Sequence, residues 1–233
     1  YSRVRRHSHL DQLSPMNFGN FELEVENCLQ KRVKSFAILH SGETRTPVYV
    51  AQRLNRRSIE DADERRATKF FADARLPRGE RAELEDYKRS GFSSEGTWHL
   101  RRIAHAEAMA QSFSLANMLP QDIQHNGGAW AKIEQDTRHY GEGQGDVFVI
   151  TGPVFTPESL RIGDNGVRVP TYLFKLVYDQ HDKRAWAPWQ ENREGGVSGD
   201  RQLPGAGEAD GVGVLAELGV LKYQHVVRQH CLI

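Results

Sequence analysis

Phe113-Ser-Leu-Ala-Asn117-Met-Leu-Pro120-Gln121-Asp-Ile-Gln-His-Asn126-Gly-Gly-Ala-Trp130-Ala-Lys-Ile-Glu134-Gln-Asp-Thr-Arg138 decides what this chain can be. Its second half predicts a helix from Asn126 to Tyr140, because Trp130, Ile133 and Thr137 recur at the 3.6-residue period of one buried face. Upstream, Ser35 to His40 and Val48 to Leu54 are short apolar runs. The turn-rich Ser41-Gly-Glu-Thr-Arg-Thr-Pro47 between them predicts a strand pair. Downstream, Asp146 to Gly152 is almost continuously apolar and ends in a Gly-Pro turn, and Val169 to Tyr178 and Arg184 to Gln190 are two further strands. Ala104 to Leu115 is compatible with a helix or a helix start. Helices clustered between strands give an α+β class, a single sheet-centred domain. Its expected limits are a polar lead-in over 1–30, a core domain over 31–194 and a C-terminal tail over 195–233.

Composition excludes more than it assigns. With 38% hydrophobic and 27% charged residues the chain is neither disordered nor fibrous. No apolar run approaches the length needed to cross a membrane as a helix, so no membrane association is expected. The 31 basic residues are balanced by 31 acidic ones, so attraction to nucleic acid must come from local placement rather than net charge. Cys28 and Cys231 lie far apart, and no cysteine or histidine spacing is of the zinc type. The chain starts at Tyr1 with no methionine or signal pattern, which reads as a mature form or a fragment that an export signal could have preceded.

Asn117, Gln121 and Asn126 are three carboxamides close together ahead of a helix. Neutral side-chain oxygens suit a hard cation that keeps most of its waters, as Mg²⁺ does. Glu134 is eight residues beyond Asn126 and Arg138 four further, so the three share roughly one helical face. A carboxylate and a guanidinium beside a hydrated metal suit phosphodiester hydrolysis, in which charge builds on phosphate oxygens. Spacing alone also allows a plainer reading: the asparagines as turn or cap residues, and Glu134 with Arg138 as a surface pair.

The stretch from Phe113 to Arg138 resembles the DNA/RNA non-specific endonuclease family, which includes the mitochondrial endonuclease G type. Further motifs follow the family's order: His40 to Pro47, Arg66 to Phe71, Asp86-Tyr-Lys-Arg-Ser-Gly-Phe92, Val149-Ile-Thr-Gly-Pro153 and Val169-Pro-Thr-Tyr-Leu-Phe-Lys175. The resemblance implies a six-stranded sheet carrying a ββα-metal motif, and cleavage of DNA and RNA without sequence preference. It implies Mg²⁺, with Mn²⁺ as a substitute, and dimers are common in such proteins. In that pattern Asn126 resembles the single protein ligand of the metal. Asn117, Gln121 and Glu134 resemble supports of its water shell and of the site, Arg138 a phosphate contact, and Arg66 a second one. The expected compartment is secreted or periplasmic, or mitochondrial in a eukaryote.

One family element is missing. The family places Asp-Arg-Gly-His after its Ser-Gly-aromatic step, with the histidine as general base. Here Ser90-Gly91-Phe92 is followed by Ser-Ser-Glu-Gly-Thr-Trp-His99-Leu-Arg-Arg102, and His99 reaches the histidine position only by a shift of three residues. One codon choice for Glu95 to Arg102, read in the neighbouring frame, spells Arg-Gly-His-Met-Ala-Pro-Ala-Ala. A similar reading of Pro204 to Gly211 gives a segment like the family's amphipathic C-terminus, so both tracts are expected to be frame-shifted. His99 is the expected substitute base in the chain as it stands. His105 and His125 are expected to face solvent, and Trp130 to pack in the core under the helix. The competing expectation is a catalytically inactive nuclease fold that binds nucleic acid or a protein partner.

Overall fold

A computed structural model describes residues 36–60, 69–93, 111–179, 181–182, 184–196, 198–202 and 229–232. The predicted strand pair is present as β1 (Phe36–Ser41) and β2 (Thr46–Leu54), antiparallel, with Phe36 opposite Gln52 and Ser41 opposite Thr46. β2 pairs with β5 (Val147–Val154), β5 with β8 (Tyr172–Asp179), and β8 with β9 (Arg184–Glu191), every pair antiparallel. Two strands from the expected C-terminal tail, β10 (Ser198–Gln202) and β11 (Gln229–Leu232), close the two edges. The result is one seven-stranded sheet in the order β10-β9-β8-β5-β2-β1-β11. Among the described residues the sheet thus has seven strands where six were expected, and two of them lie beyond residue 194.

Between β2 and β5 the chain leaves the sheet and builds the part that matters for chemistry. After α1 (Arg56–Glu60) and α2 (Leu84–Tyr87), the short β3 (Phe92–Ser93) pairs with β4 (Gln121–Asp122). β4 runs directly into a helix made of α3 (Ile123–His125), a π turn (Asn126–Trp130) and α4 (Ala131–Gly143). Two antiparallel strands followed at once by a helix are the expected ββα arrangement. A hairpin of β6 (Arg161–Ile162) and β7 (Val167–Arg168) fills the connection from β5 to β8.

Strand alternation decides which residues meet the helix. Val149 stands opposite Val177 and Thr151 opposite Lys175, with Leu173 two residues along on the same face. Leu173 packs with Leu119 and Trp130, which is completely buried, and with Ile133 of α4. Val147, Val149 and Val177 pack with Leu54, Ile59 and Tyr140. The Tyr140 hydroxyl donates to Asp179 Oδ2 at 2.5 Å, tying the end of α4 to the end of β8. On the opposite face Phe174, Leu176 and Ala187 form a separate cluster.

Gly152 is where the central strands approach too closely for a side chain. A Cβ there would lie 2.8 Å from the Val48 carbonyl oxygen and 2.9 Å from two atoms of the Phe174 ring. Gly152→Ala is expected to lower the unfolding free energy by about 1–3 kcal/mol, as overpacking of a core does. The urea unfolding midpoint measures this, and an unchanged midpoint would mean that the strands spread at no cost.

Candidate active site

Asn117 lies at the end of a 3₁₀ turn (Leu115–Asn117) whose N-cap is Ser114; the Ser114 hydroxyl accepts from the Ala116 amide. Ser114 also donates to Asp73 Oδ2 at 2.8 Å, and Arg75 grips the same carboxylate at 2.9 and 2.7 Å. Burial pushes the Asp73 carboxyl up, but hydrogen bonds from Arg75 and Ser114 outweigh it and hold the group at about 2. This charged network fixes the turn. Asn117 itself is fully buried, and its Nδ2 donates to the Ser112 carbonyl at 3.0 Å.

Gln121, four residues on, starts β4 and is also fully buried. Asn192, just after β9, holds this segment against the sheet: it donates to the Pro120 and Pro170 carbonyls at 3.0 and 2.9 Å and accepts from the Asp122 amide at 3.0 Å. Neither polar atom of the Gln121 carboxamide has a hydrogen-bond partner among the described residues. A buried amide left in that state is costly, which marks Gln121 as a candidate site residue.

The helix begins three residues earlier than expected. Asp122 is its N-cap, accepting from the His125 amide at 2.9 Å, so Asn126 is a helical residue (φ −63°, ψ −46°) and not the cap. Asp122 wins because β4 pairing holds it in the extended backbone that a cap needs. Asn126 opens the π turn, with Gly127 and Gly128 behind it, and is 3% exposed. That turn bears on the shared face. At about 100° per residue, eight α-helical residues would put Glu134 about 80° off the Asn126 direction; absorbing one extra residue in a π turn cuts this to about 20°.

Glu134 is buried in the first turn of α4, and Arg138, one turn on, is half-buried. Facing them from the sheet is Lys175, the last residue of the motif Val169 to Lys175, which has no role in the expected site. Its Nζ donates to Thr151 Oγ1 at 2.8 Å and lies 4.0 Å from Glu134 Oε1 and 5.4 Å from the centre of the Trp130 ring. Burial pulls the ammonium down to about 8; the Glu134 charge opposes this and the Arg138 charge adds to it. The charges of Arg138 and Glu134 thus both act on the same buried cation. The available signal was a lysine inside the otherwise apolar run Leu173-Phe-Lys-Leu-Val177.

His125 corrects its expectation: it is buried, not solvent-facing. Its ring lies 5.9 Å from that of Trp130, and its Nε2 is 3.1 Å from Gln190 Oε1, so the ring donates to that oxygen. Burial lowers its pKa despite the Gln190 bond and the Asp122 charge. Trp130 is core, as expected. Arg66, His99, the tract Glu95 to Arg102 and the tail from Pro204 to Gly211 lie outside the described residues. Among the described residues no three His, Cys, Asp or Glu side chains gather as a metal site. No helix of the described residues is long and apolar enough to cross a membrane.

The sequence pattern of DNA/RNA non-specific endonucleases matches residues 15–203. The chain belongs to that family. Curated members similar to it include the mitochondrial nuclease EXOG of Danio rerio, 29% identical over 70% of this chain and 51% of its own length. Human mitochondrial endonuclease G is 30% identical over 63% of this chain and 53% of its own length. Nuclease C1 of Cunninghamella echinulata var. echinulata is 30% identical over 62% of each. The chain thus spans about half the length of the EXOG and endonuclease G relatives it matches. In fold, it superposes on a crystal structure of the EndoG/EndoGI complex with a TM-score of 0.65 and 22% identity, over 81% of this chain and 82% of that one. The family's ββα-metal fold is the one seen here.

The buried Lys175 makes stability rise in alkali. Below pH 8 the ammonium is charged in the folded and unfolded chain alike, and the folded state bears the cost. Between about 8 and the ordinary 10.5 the unfolded chain holds more protons, so stability rises with pH. The full shift corresponds to about 3 kcal/mol. Urea unfolding between pH 7 and 10.5 is expected to show this gain in the native chain and not in Lys175→Met. An equal gain in both would assign it to other groups.

Proposed function

We propose that this chain is a metal-dependent nuclease that hydrolyses phosphodiester bonds in DNA and RNA without sequence preference. The observation that carries the reading is the fully buried Gln121 carboxamide, neither of whose polar atoms has a partner among the described residues, five residues before the buried Asn126. Carboxamide oxygens and the waters of a hard cation satisfy each other, so these residues fit Mg²⁺, with Mn²⁺ as a substitute. Asn126 would hold the ion, and Asn117, Gln121 and Glu134 would support the water around it. When bound, Mg²⁺ supplies positive charge against the phosphate oxygens.

The chain's own groups do the rest. Arg138 offers a planar, permanently charged donor set to a phosphate and stabilises the charge that develops on it. Glu134, held beside a buried cation, stays where it can accept hydrogen bonds from water. A histidine takes the proton from the attacking water; His99 is the candidate in this chain, and Arg66 is a second candidate phosphate contact. The relatives' mitochondrial names favour that compartment over secretion. A homodimer remains part of the proposal.

A second reading has its own support. Ser90-Gly91-Phe92 leads into Ser-Ser-Glu-Gly-Thr-Trp-His99 instead of Asp-Arg-Gly-His, which suits a fold that binds nucleic acid, or a protein partner, without cutting. Incubation with plasmid DNA and with RNA separates the two. Cleavage of both is expected in Mg²⁺, with none in EDTA and recovery on adding Mg²⁺ back. Asn126→Ala should slow cleavage at least about 100-fold, and His99→Ala by a factor of about 100 to 10,000. Tight DNA binding with no cleavage in any divalent ion would establish the inactive fold.

A further inference from the structure

Lys175 is buried in mid-strand on β8, between residues that need no charge near them: Phe174 and Leu176 in sequence, and Leu173 and Val177 on its own face. An ion so placed costs folding energy, and an apolar residue of similar volume commonly packs there without that cost. Its surroundings suggest why a lysine stands there. Thr151, directly opposite on β5 and fully buried, accepts its proton at 2.8 Å and so fixes where Nζ points. That point lies 4.0 Å from Glu134 Oε1, and the Trp130 ring of the same helix covers it at 5.4 Å. At 4.0 Å the ammonium attracts the carboxylate by charge without donating a hydrogen bond to that oxygen, so it orients Glu134 electrostatically.

We propose that Lys175, steered by the Thr151 hydroxyl, is the positioning residue for Glu134: sheet strands β5 and β8 aim the carboxylate that α4 carries. The inference rests on the reading of Glu134 as a support of the metal's water shell. It assigns no contact with nucleic acid or metal to Lys175 or Thr151.

The test is Mn²⁺ affinity, read by electron paramagnetic resonance on the full chain, which does not require catalysis. Thr151→Val keeps the shape and both charges but removes the acceptor that steers Nζ. It should weaken Mn²⁺ binding about tenfold, as loss of an outer support commonly does. Thr151→Ser should restore affinity to within about twofold, which a general packing role would not predict. In a Glu134→Gln background Thr151→Val should have almost no further effect, because the group it acts through has changed. Wild-type affinity in Thr151→Val, or the same weakening with and without Glu134→Gln, overturns the proposal while leaving the reading of Glu134 intact. Unchanged affinity in Glu134→Gln alone, or no Mn²⁺ binding by the native chain, overturns that reading and this proposal with it. Circular dichroism checks folding, and if Thr151→Val does not fold, Thr151→Ala makes the same test.

Discussion

Trp130 sits with none of its side chain exposed, between Leu119 on one side and Leu173 of the central sheet on the other, with Ile133 beside it. A buried tryptophan in a close-packed seat permits one rotation of its helix and no other. That rotation turns Gly127, Gly128 and Lys132 to solvent and Asn126, Glu134 and Thr137 inward. The π turn ends on this residue, so the backbone irregularity and the packing anchor meet at one point. Asn126 lies at the far end of the same turn, and its direction follows from both.

Around that anchor the molecule accepts electrostatic costs that a purely structural core avoids. Lys175 and Glu134 are both buried, and Arg138 adds a second positive charge nearby. Asp73 is buried with a bidentate arginine on it, at the start of the turn that carries Asn117. Such groups stabilise a fold weakly, if at all, but they impose direction, because a misplaced buried charge is heavily penalised. Both networks end on residues of the candidate site, which is where fixed direction is useful.

Asn192 adds a third constraint of a neutral kind. Its three hydrogen bonds join the strand-to-strand connection at Pro170, the end of β9, and the Pro120 and Asp122 backbone on either side of Gln121. The carboxamide side of the site is therefore referenced to the sheet three times: through Trp130, through Lys175 and through Asn192. The first two ties are made to β8, at Leu173 and Lys175, and the third joins the connection at Pro170 to the turn after β9.

The strands β1, β2, β5, β8 and β9 and the helix that follows Pro120 were legible in the sequence because each is a local pattern: an apolar run bounded by turn residues, or a 3.6-residue period. The carboxamide set and the family were legible for a related reason, since several short motifs in a fixed order are together specific where each is weak. What the sequence could not settle was anything decided between distant residues. Asp122 and Asn126 are both good caps, and only the pairing of β3 with β4 chose the first. His125 looked like a polar surface residue until Gln190 and Trp130 closed over it. β10 and β11 lacked a strand period of their own and exist as edges of a sheet already formed. Lys175, Thr151 and Glu134 lie on three separate elements, so their meeting depends on strand register and helix rotation, which tertiary packing decides.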